Sequence, residues 1–301
     1  MRPNPAGVAL PRLQLVAAAV LFSTGGAAIK ATTLTAMQVA SLRSGIAAAT
    51  LLVLMPAARR GFGARSVVIA AAYAATMILF VVANKWTTAA SAIFLQATAP
   101  LYVMLIAPRF LGEPVRRRDV AFVLVMAAGM ALFFLGSYVP AATAPRPVAG
   151  HVVAGLSGLT WALTLMGLRW GSRSGERPGR DPLATAVLLG NAIASLACLP
   201  FALPLPALAA PDVILIVYLG VAQIGLAYVL LTAGIRHVGA LAASLLLLAE
   251  PALSPVWAWI FHGELPAPLS LAGGAIILGA TVARTVLDAA SPSAQRAPAS
   301  S

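Results

Sequence analysis

The sequence predicts an all-α integral membrane protein with ten transmembrane helices, arranged as two inverted repeats of five helices. Its composition argues against a soluble globule, because 60% of the 301 residues are hydrophobic and only 9% are charged. The net charge of +12 does not predict a nucleic-acid partner, since the basic residues lie in short loops between apolar segments. The single cysteine, Cys198, cannot form a disulfide framework.

Ten segments are long enough to cross the core of a membrane, which needs about 20 helical residues. Seven carry no charged residue or histidine, and the other three contain Arg43, His151 or Glu250. We predict helices within residues 13–29, 36–58, 66–84, 86–108, 120–145, 148–168, 182–211, 213–235, 239–261 and 265–283. The first segment could be mistaken for a secretion signal, but nine more follow it, so we expect it to be retained.

The basic residues predict the orientation of the chain. If the N terminus is cytoplasmic, most of the 20 lysines and arginines fall on the inner side, and only Lys30, Lys85 and Arg146 fall outside. Lysines and arginines in short loops decide the orientation of a membrane protein. Both termini are therefore predicted to be cytoplasmic, in a bacterial inner (plasma) membrane.

An internal repeat divides the chain. A shift of 151 residues superposes Pro100 on Pro251, Gly112 on Gly263 and Glu113 on Glu264. The predicted parts are repeat 1 (14–136), a linker rich in Pro and Ala (137–148), repeat 2 (149–286) and a disordered tail (288–301). Because each repeat has an odd number of helices, the second must enter the membrane upside down, as in many secondary transporters.

Two stretches carry a family resemblance: "NKWTTAASAIFLQATAPLYVMLIAPRFLGE" and "IRHVGALAASLLLLAEPALSPVWAWIFHGE". Each resembles the third-to-fourth-helix signature of the EamA-like domain, which occurs twice in ten-helix members of the drug/metabolite transporter superfamily. The resemblance covers nearly the whole chain apart from its tails. It implies a transporter of small metabolites, and similar members include amino-acid and metabolite exporters.

Glu250 and Arg43 are the charged residues predicted at membrane depth. Glu250 lies in the middle of its segment, about 15 Å from either surface at ~1.5 Å per residue, where a carboxylate normally faces a cavity or a partner. We interpret it as a site for a coupling proton or a substrate amine, with a structural hydrogen bond as the alternative. Arg43 either pairs with Glu250 across a cavity or extends toward the outer headgroups.

Pro100 and Pro251 are predicted to kink their helices near the middle of the membrane. Neither proline has the amide that would bind the carbonyl of Gln96 or Leu247, respectively. The two freed carbonyls could line a cavity, or the neighbouring helices could pack into the kinks.

Three stripes at helical spacing are candidate cavity walls. They are Ser157, Thr160, Trp161 and Thr164; Tyr73, Met77, Phe80 and Asn84; and Ser91, Thr98 and Tyr102. Such stripes either bind a small amphipathic solute or form contacts between helices. Gln223 and Asn191 are weaker candidates, since each is a single polar residue in its segment.

The Gly-Glu endings are predicted to be structural. Gly112 with Glu113, and Gly263 with Glu264, end apolar segments near the membrane surface, where a carboxylate can bind loop amides or an arginine. The histidines have no metal-ligand spacing, and the chain has no phosphate-binding glycine loop. We therefore expect no catalytic residue, metal or cofactor. We expect the energy for transport to come from a gradient rather than from bound ATP.

These observations favour a secondary transporter that exports amino acids or related small metabolites in exchange for protons. The direction and the coupling come mainly from the family resemblance. The alternatives are an importer or facilitator of sugars or lipophilic cations, and a membrane scaffold that transports nothing. We expect membrane lipid and a small-molecule substrate as partners, and no nucleic acid. The sequence does not decide whether the protein forms a homodimer.

Overall fold

The structure is a computed structural model that describes residues 5–136, 144–173, 181–262 and 268–290. In chain order the helices are α1 (Pro5–Ser23), α2 (Gly25–Ala31), α3 (Ala36–Leu54), α4 (Ala64–Trp86), α5 (Ala89–Gln96), α6 (Ala99–Phe110), α7 (Arg117–Gly136), α8 (Pro147–Ser172), α9 (Pro182–Ala202), α10 (Ala210–Tyr218), α11 (Ala227–Ile235), α12 (Ala240–Leu246), α13 (Ala249–His262) and α14 (Pro268–Ala290). A 3-10 turn (Pro56–Arg60) follows α3, and a π-helical segment (Leu219–Leu226), called the π segment below, joins α10 to α11. No strand occurs among the described residues.

Seven segments of the described chain are long and apolar enough to cross a membrane. They are Ala9–Ala31, Ala36–Leu54, Ala64–Trp86, Ser91–Phe110, Pro147–Ser172, Pro182–Ala202 and Ala210–Ile235. Two shorter apolar helical segments follow, Ala240–Ser254 and Leu271–Ala283. Large apolar side chains such as Val53 and Leu196 are exposed on the outside of the bundle, as expected for contact with lipid. The prediction of an all-α, multi-pass membrane protein is confirmed.

Polar side chains fix where several helices begin. Thr35 accepts the amide of Gln38, whose side chain in turn accepts the amide of Thr35, so the two residues form a capping box at the start of α3. Asp181 accepts two amides at the start of α9, and Thr88 accepts one at the start of α5. These caps satisfy amides that have no partner inside the helix.

The predicted proline kinks are complete breaks. α5 ends at Gln96 and α6 begins at Ala99, and likewise α12 ends at Leu246 and α13 begins at Ala249. The prediction of two freed carbonyls was wrong for Leu247, because its oxygen accepts the amide of Glu250 at 3.0 Å. The chain tightens into a turn at the break, and this turn satisfies the carbonyl.

The two halves of the chain pack against each other along their length. α4 lies against α8 and α9, α3 against α9, α1 against α11, and α7 against α14. Small residues permit close approach: a Cβ on Gly190 of α9 would lie 2.5 Å from the ring of Tyr73 on α4. The core therefore lies between the halves.

Parts of the predicted domain boundaries lie outside the described residues. Residues 137–143 of the linker, residues 291–301 of the tail, and the pair Gly263 and Glu264 are among them. Of the rest, α8 begins within the predicted linker at Pro147, and α14 reaches Ala290 within the predicted tail.

Candidate functional site

A small cavity lies in the middle of the bundle, between the two halves. It has a volume of about 30 Å³, which is room for a few water-sized groups. Its lining residues are Phe22, Arg43, Thr76, Met77, Phe80, Gln96, Trp161, Gln223, Ile224, Tyr228 and Glu250. We call this space the central cavity. Six of its residues are among the site residues predicted from the sequence: Arg43, Met77, Phe80, Gln96, Trp161 and Glu250.

Arg43 of α3 is 1% exposed and reaches inward. Its Nη2 donates to the carbonyl oxygen of Met77 at 3.0 Å, while its Nε has no hydrogen-bond partner among the described residues. The prediction that Arg43 could extend toward the outer headgroups was therefore wrong, because α4 and its neighbours enclose the side chain. A buried guanidinium with spare donors is costly, so the site favours an anionic or polar acceptor in the cavity.

Glu250 is the acidic residue of the cavity. It lies in the first turn of α13, where the positive end of the helix dipole favours a carboxylate. The side chain is half-buried and also lines a second cavity, of about 10 Å³, between the two helix breaks. Among the described residues no ion pair joins Glu250 to Arg43. The two charges share the cavity without contact.

Aromatic rings close one side of the cavity. The ring of Phe22 lies 6.1 Å from that of Trp161 and 5.2 Å from that of Tyr228, and Tyr228 in turn lies 4.7 Å from Tyr73, centroid to centroid. Tyr73 does not line the cavity, and its hydroxyl accepts from Asn191 at 2.8 Å. Phe22 and Tyr228 were not predicted as site residues from the sequence. A signal for Phe22 existed, because its spacing to Lys30 equals that of Trp161 to Arg169.

The other residues of the predicted stripes do not line the central cavity, and several of them bond neighbouring groups. Ser157 accepts from Gln96 Nε2 at 2.9 Å, and Thr164 bonds Thr76 at 3.2 Å. Three others bond carbonyl oxygens: Thr160 that of Ser157, Asn84 that of Phe80, and Thr98 that of Leu95. The third stripe was not one helix face, because Ser91 lies on α5, Thr98 in the break and Tyr102 on α6.

Gln223, a weaker candidate from the sequence, lines the central cavity. It lies on the π segment, a form that often marks functional sites and that the apolar pattern did not predict. Its Oε1 is buried with no hydrogen-bond partner among the described residues. The side chain packs on Gly25, where a Cβ would lie 2.6 Å from Gln223 Nε2.

Glu113 organises a polar cluster at one end of the bundle, far from the cavity. It pairs with Arg169 at 2.9 Å and Arg173 at 2.5 Å, and accepts the amide of Ala240 at 2.9 Å. Arg236 pairs with Asp181 at 2.6 Å close by. We call this the arginine-rich end. Its ion pairs tie the loop after α6 to helices of the second half.

A helical membrane bundle with a charged cavity between two halves is typical of membrane transporters. The chain belongs to the EamA-like transporter family, whose model matches residues 11–135 and 148–284. This confirms the resemblance stated above. No curated protein matches the sequence. Among solved structures, one titled "Crystal structure of protein" is similar with a TM-score of 0.74 and 20% identity, covering 92% of this chain and 96% of that one. Such a likeness shows the fold alone.

Proposed function

We propose that the chain is a secondary active transporter that exports amino acids or related small metabolites in exchange for protons. In this proposal ten transmembrane helices form two inverted repeats, 14–136 and 149–286, with both termini cytoplasmic in a bacterial inner membrane. The paired helix breaks support it, since inverted repeats with discontinuous helices at a central site are typical of secondary transporters.

One observation carries the choice of substrate: Arg43 and Glu250 face the central cavity from opposite halves without pairing. A zwitterion offers a carboxylate to the guanidinium and an ammonium group to the carboxylate, and both bonds are of the strong, charge-assisted kind. Without substrate, a proton neutralises Glu250. The proton and the ammonium group therefore compete for one carboxylate, which yields exchange.

Transport requires the halves to separate. A cavity of about 30 Å³ is far smaller than the 300–1,000 Å³ of typical small-molecule pockets. The Glu113 ion pairs hold the arginine-rich end together in this conformation. Opening toward that end must break or shift them, and opening toward the other end need not.

A lipophilic cation is the second candidate substrate. Phe22, Trp161 and Tyr228 lie beside Glu250 in the cavity, and aromatic faces together with a carboxylate suit an organic cation. Arg43 in the same cavity opposes a cation that lacks an anionic group.

Reconstituted protein tests the proposal. Proteoliposomes would be loaded with radiolabelled amino acids, sugars or a quaternary ammonium compound, and efflux would be measured with and without an inward proton gradient. We expect gradient-stimulated efflux of at least one apolar amino acid and acidification of the lumen. Efflux of the quaternary ammonium compound alone would favour the second candidate. No flux of any solute would favour a scaffold.

A further inference from the structure

A third and larger space opens at the arginine-rich end and shares no lining residue with the central cavity. Its volume is about 430 Å³, within the range of small-molecule and cofactor pockets. Its residues are Leu10, Pro11 and Gln14 of α1, Met55 at the end of α3, Asp181 before α9, Val229, Thr232 and Ala233 of α11, and Arg236 and His237 just beyond it. We call it the lateral groove.

The lateral groove is apolar along one wall and charged at one end. Val229, Thr232, Ala233 and Arg236 have the spacing i, i+3, i+4, i+7 and share one face of the α11 helix and its end. This face runs from an apolar side chain to a guanidinium. His237, the next residue, is exposed and also lines the groove. An occupant must therefore combine an apolar part with a polar or charged part.

The rim of the groove faces the membrane. Leu10 is 58% exposed, and Leu13 of α1 and Leu226, which ends the π segment just before α11, are 57% and 44% exposed. In a membrane-spanning bundle such side chains contact lipid chains. An occupant therefore enters sideways from the bilayer, along α1 and α11, without passing through the central cavity.

The charges near the groove favour an anion. Arg236 binds one oxygen of Asp181 at 2.6 Å, and the other oxygen accepts the amides of Leu183 and Ala184 at the start of α9. The pair leaves this end of the groove lining close to neutral, so a net positive charge comes from the arginines around it. Three more arginines lie near the lining residues in sequence, although none of them lines the groove: Arg12 follows Pro11, and Arg59 and Arg60 lie four and five residues after Met55 in the 3-10 turn. Basic groups between helices at a membrane surface attract anionic headgroups.

We propose that the lateral groove binds one anionic phospholipid. Its phosphate lies beside Arg236 and His237, and one acyl chain runs along α11 past Ala233 to Val229. The lipid contacts α1 and the end of α3 from the first half and α11 from the second half. It therefore stabilises the present arrangement of these helices, which is a role separate from any transported substrate.

Thermal unfolding of the full-length protein in detergent micelles tests this site. The wild type would be titrated with dioleoyl phosphatidylglycerol, with dioleoyl phosphatidylcholine, which has the same chains but no net charge, and with inorganic phosphate. A ligand that binds only the folded state raises Tm. We expect a rise of about 4 °C with the anionic lipid, and no rise with the other two. Native mass spectrometry should find one such lipid retained.

Two substitutions fill the groove from opposite walls. Ala233→Phe and Gln14→Phe should each abolish the response to the anionic lipid and the retained mass. Val221→Phe on the π segment is the control, since Val221 is 40% exposed and does not line the groove, and it should respond like the wild type. Equal shifts with phosphatidylcholine or phosphate would overturn the proposal, as would a full response in either filled variant. If one filled variant fails to fold, the other and the mass measurement decide.

Discussion

The two helix breaks have the same geometry and different chemistry. Each lies within one residue of the same place in its half, and each is followed by a proline, Pro100 or Pro251. The shift of 151 residues places Leu247 where the first break has Gln96, and Glu250 where it has Ala99. The second break therefore has the carboxylate, and the first has only neutral polar groups.

We infer different roles for the two breaks from this difference in chemistry, a structural role for the first and a functional role for the second. At the first break Gln96 bonds Ser157, Thr98 bonds the carbonyl of Leu95, and the turn packs on Gly158 of α8. At the second break the carboxylate of Glu250 has no ion pair among the described residues. Gln96 and Glu250 line the same two cavities, so the two breaks differ in charge and in hydrogen bonding rather than in position. We infer that the first break is a fixed support and that the second exchanges ligands.

Replacing Glu250 should have the largest effect on transport. In Glu250→Gln the group that accepts both the proton and the substrate amine is lost, so efflux driven by a proton gradient should fall to the level of empty liposomes. Glu250→Asp keeps the charge on a shorter side chain and should retain part of the flux. Gradient-driven efflux would be measured for both at equal amounts of reconstituted protein. Undiminished efflux in Glu250→Gln would end the assignment of coupling to the second break.

The positions of both breaks and of Glu250 could be predicted from the sequence. The effect of a proline or of a charge inside an apolar segment depends on that residue and its place in the segment, not on how the helices pack. Pro100 and Pro251 must interrupt the hydrogen bonds of a helix wherever they occur inside one. The same reasoning could not settle Arg43, whose direction depends on how α3 packs against α4. It also could not find the π segment around Gln223, because a change of helix type leaves the apolar pattern of the sequence unaltered.

Arg43 should affect the choice of substrate more than the coupling. Arg43→Gln removes the cation that would bind a substrate carboxylate, and a hydrogen bond to a charged group contributes about 1.5–3 kcal/mol. The half-saturation concentration for an amino acid should therefore rise by roughly 10-fold or more. The half-saturation concentration for the matching amine, which lacks the carboxylate, should fall, because Arg43 no longer repels the unpaired ammonium group. Counterflow with both solutes measures this, and an equal loss for both would show that Arg43 supports the fold instead.

Two glycines of α8 test how tightly the first break is held. A Cβ on Gly158 would lie 2.8 Å from the carbonyl oxygen of Leu95, whereas a Cβ on Gly155 would meet nothing within 4 Å. Gly158→Ala should cost about 1–3 kcal/mol through overpacking and lower Tm by about 5 °C. Gly155→Ala should raise Tm slightly, since alanine favours a helix by up to ~1 kcal/mol. If Gly158→Ala and Gly155→Ala unfold at the same temperature, the contact with α8 does not hold the first break in place.

The smallest effect should come from making the first break resemble the second. Gln96→Leu installs the residue that stands at Leu247 and removes the hydrogen bond to Ser157, which contributes about 1 kcal/mol. A double-mutant cycle with Ser157→Ala should return a coupling of about that size. Gradient-driven efflux should stay within about 2-fold of the wild type, because in our proposal no proton or substrate charge binds at Gln96. A loss of coupled flux in Gln96→Leu with its fold intact would mean that both breaks take part in exchange, and the two halves would then be functionally as well as geometrically equivalent.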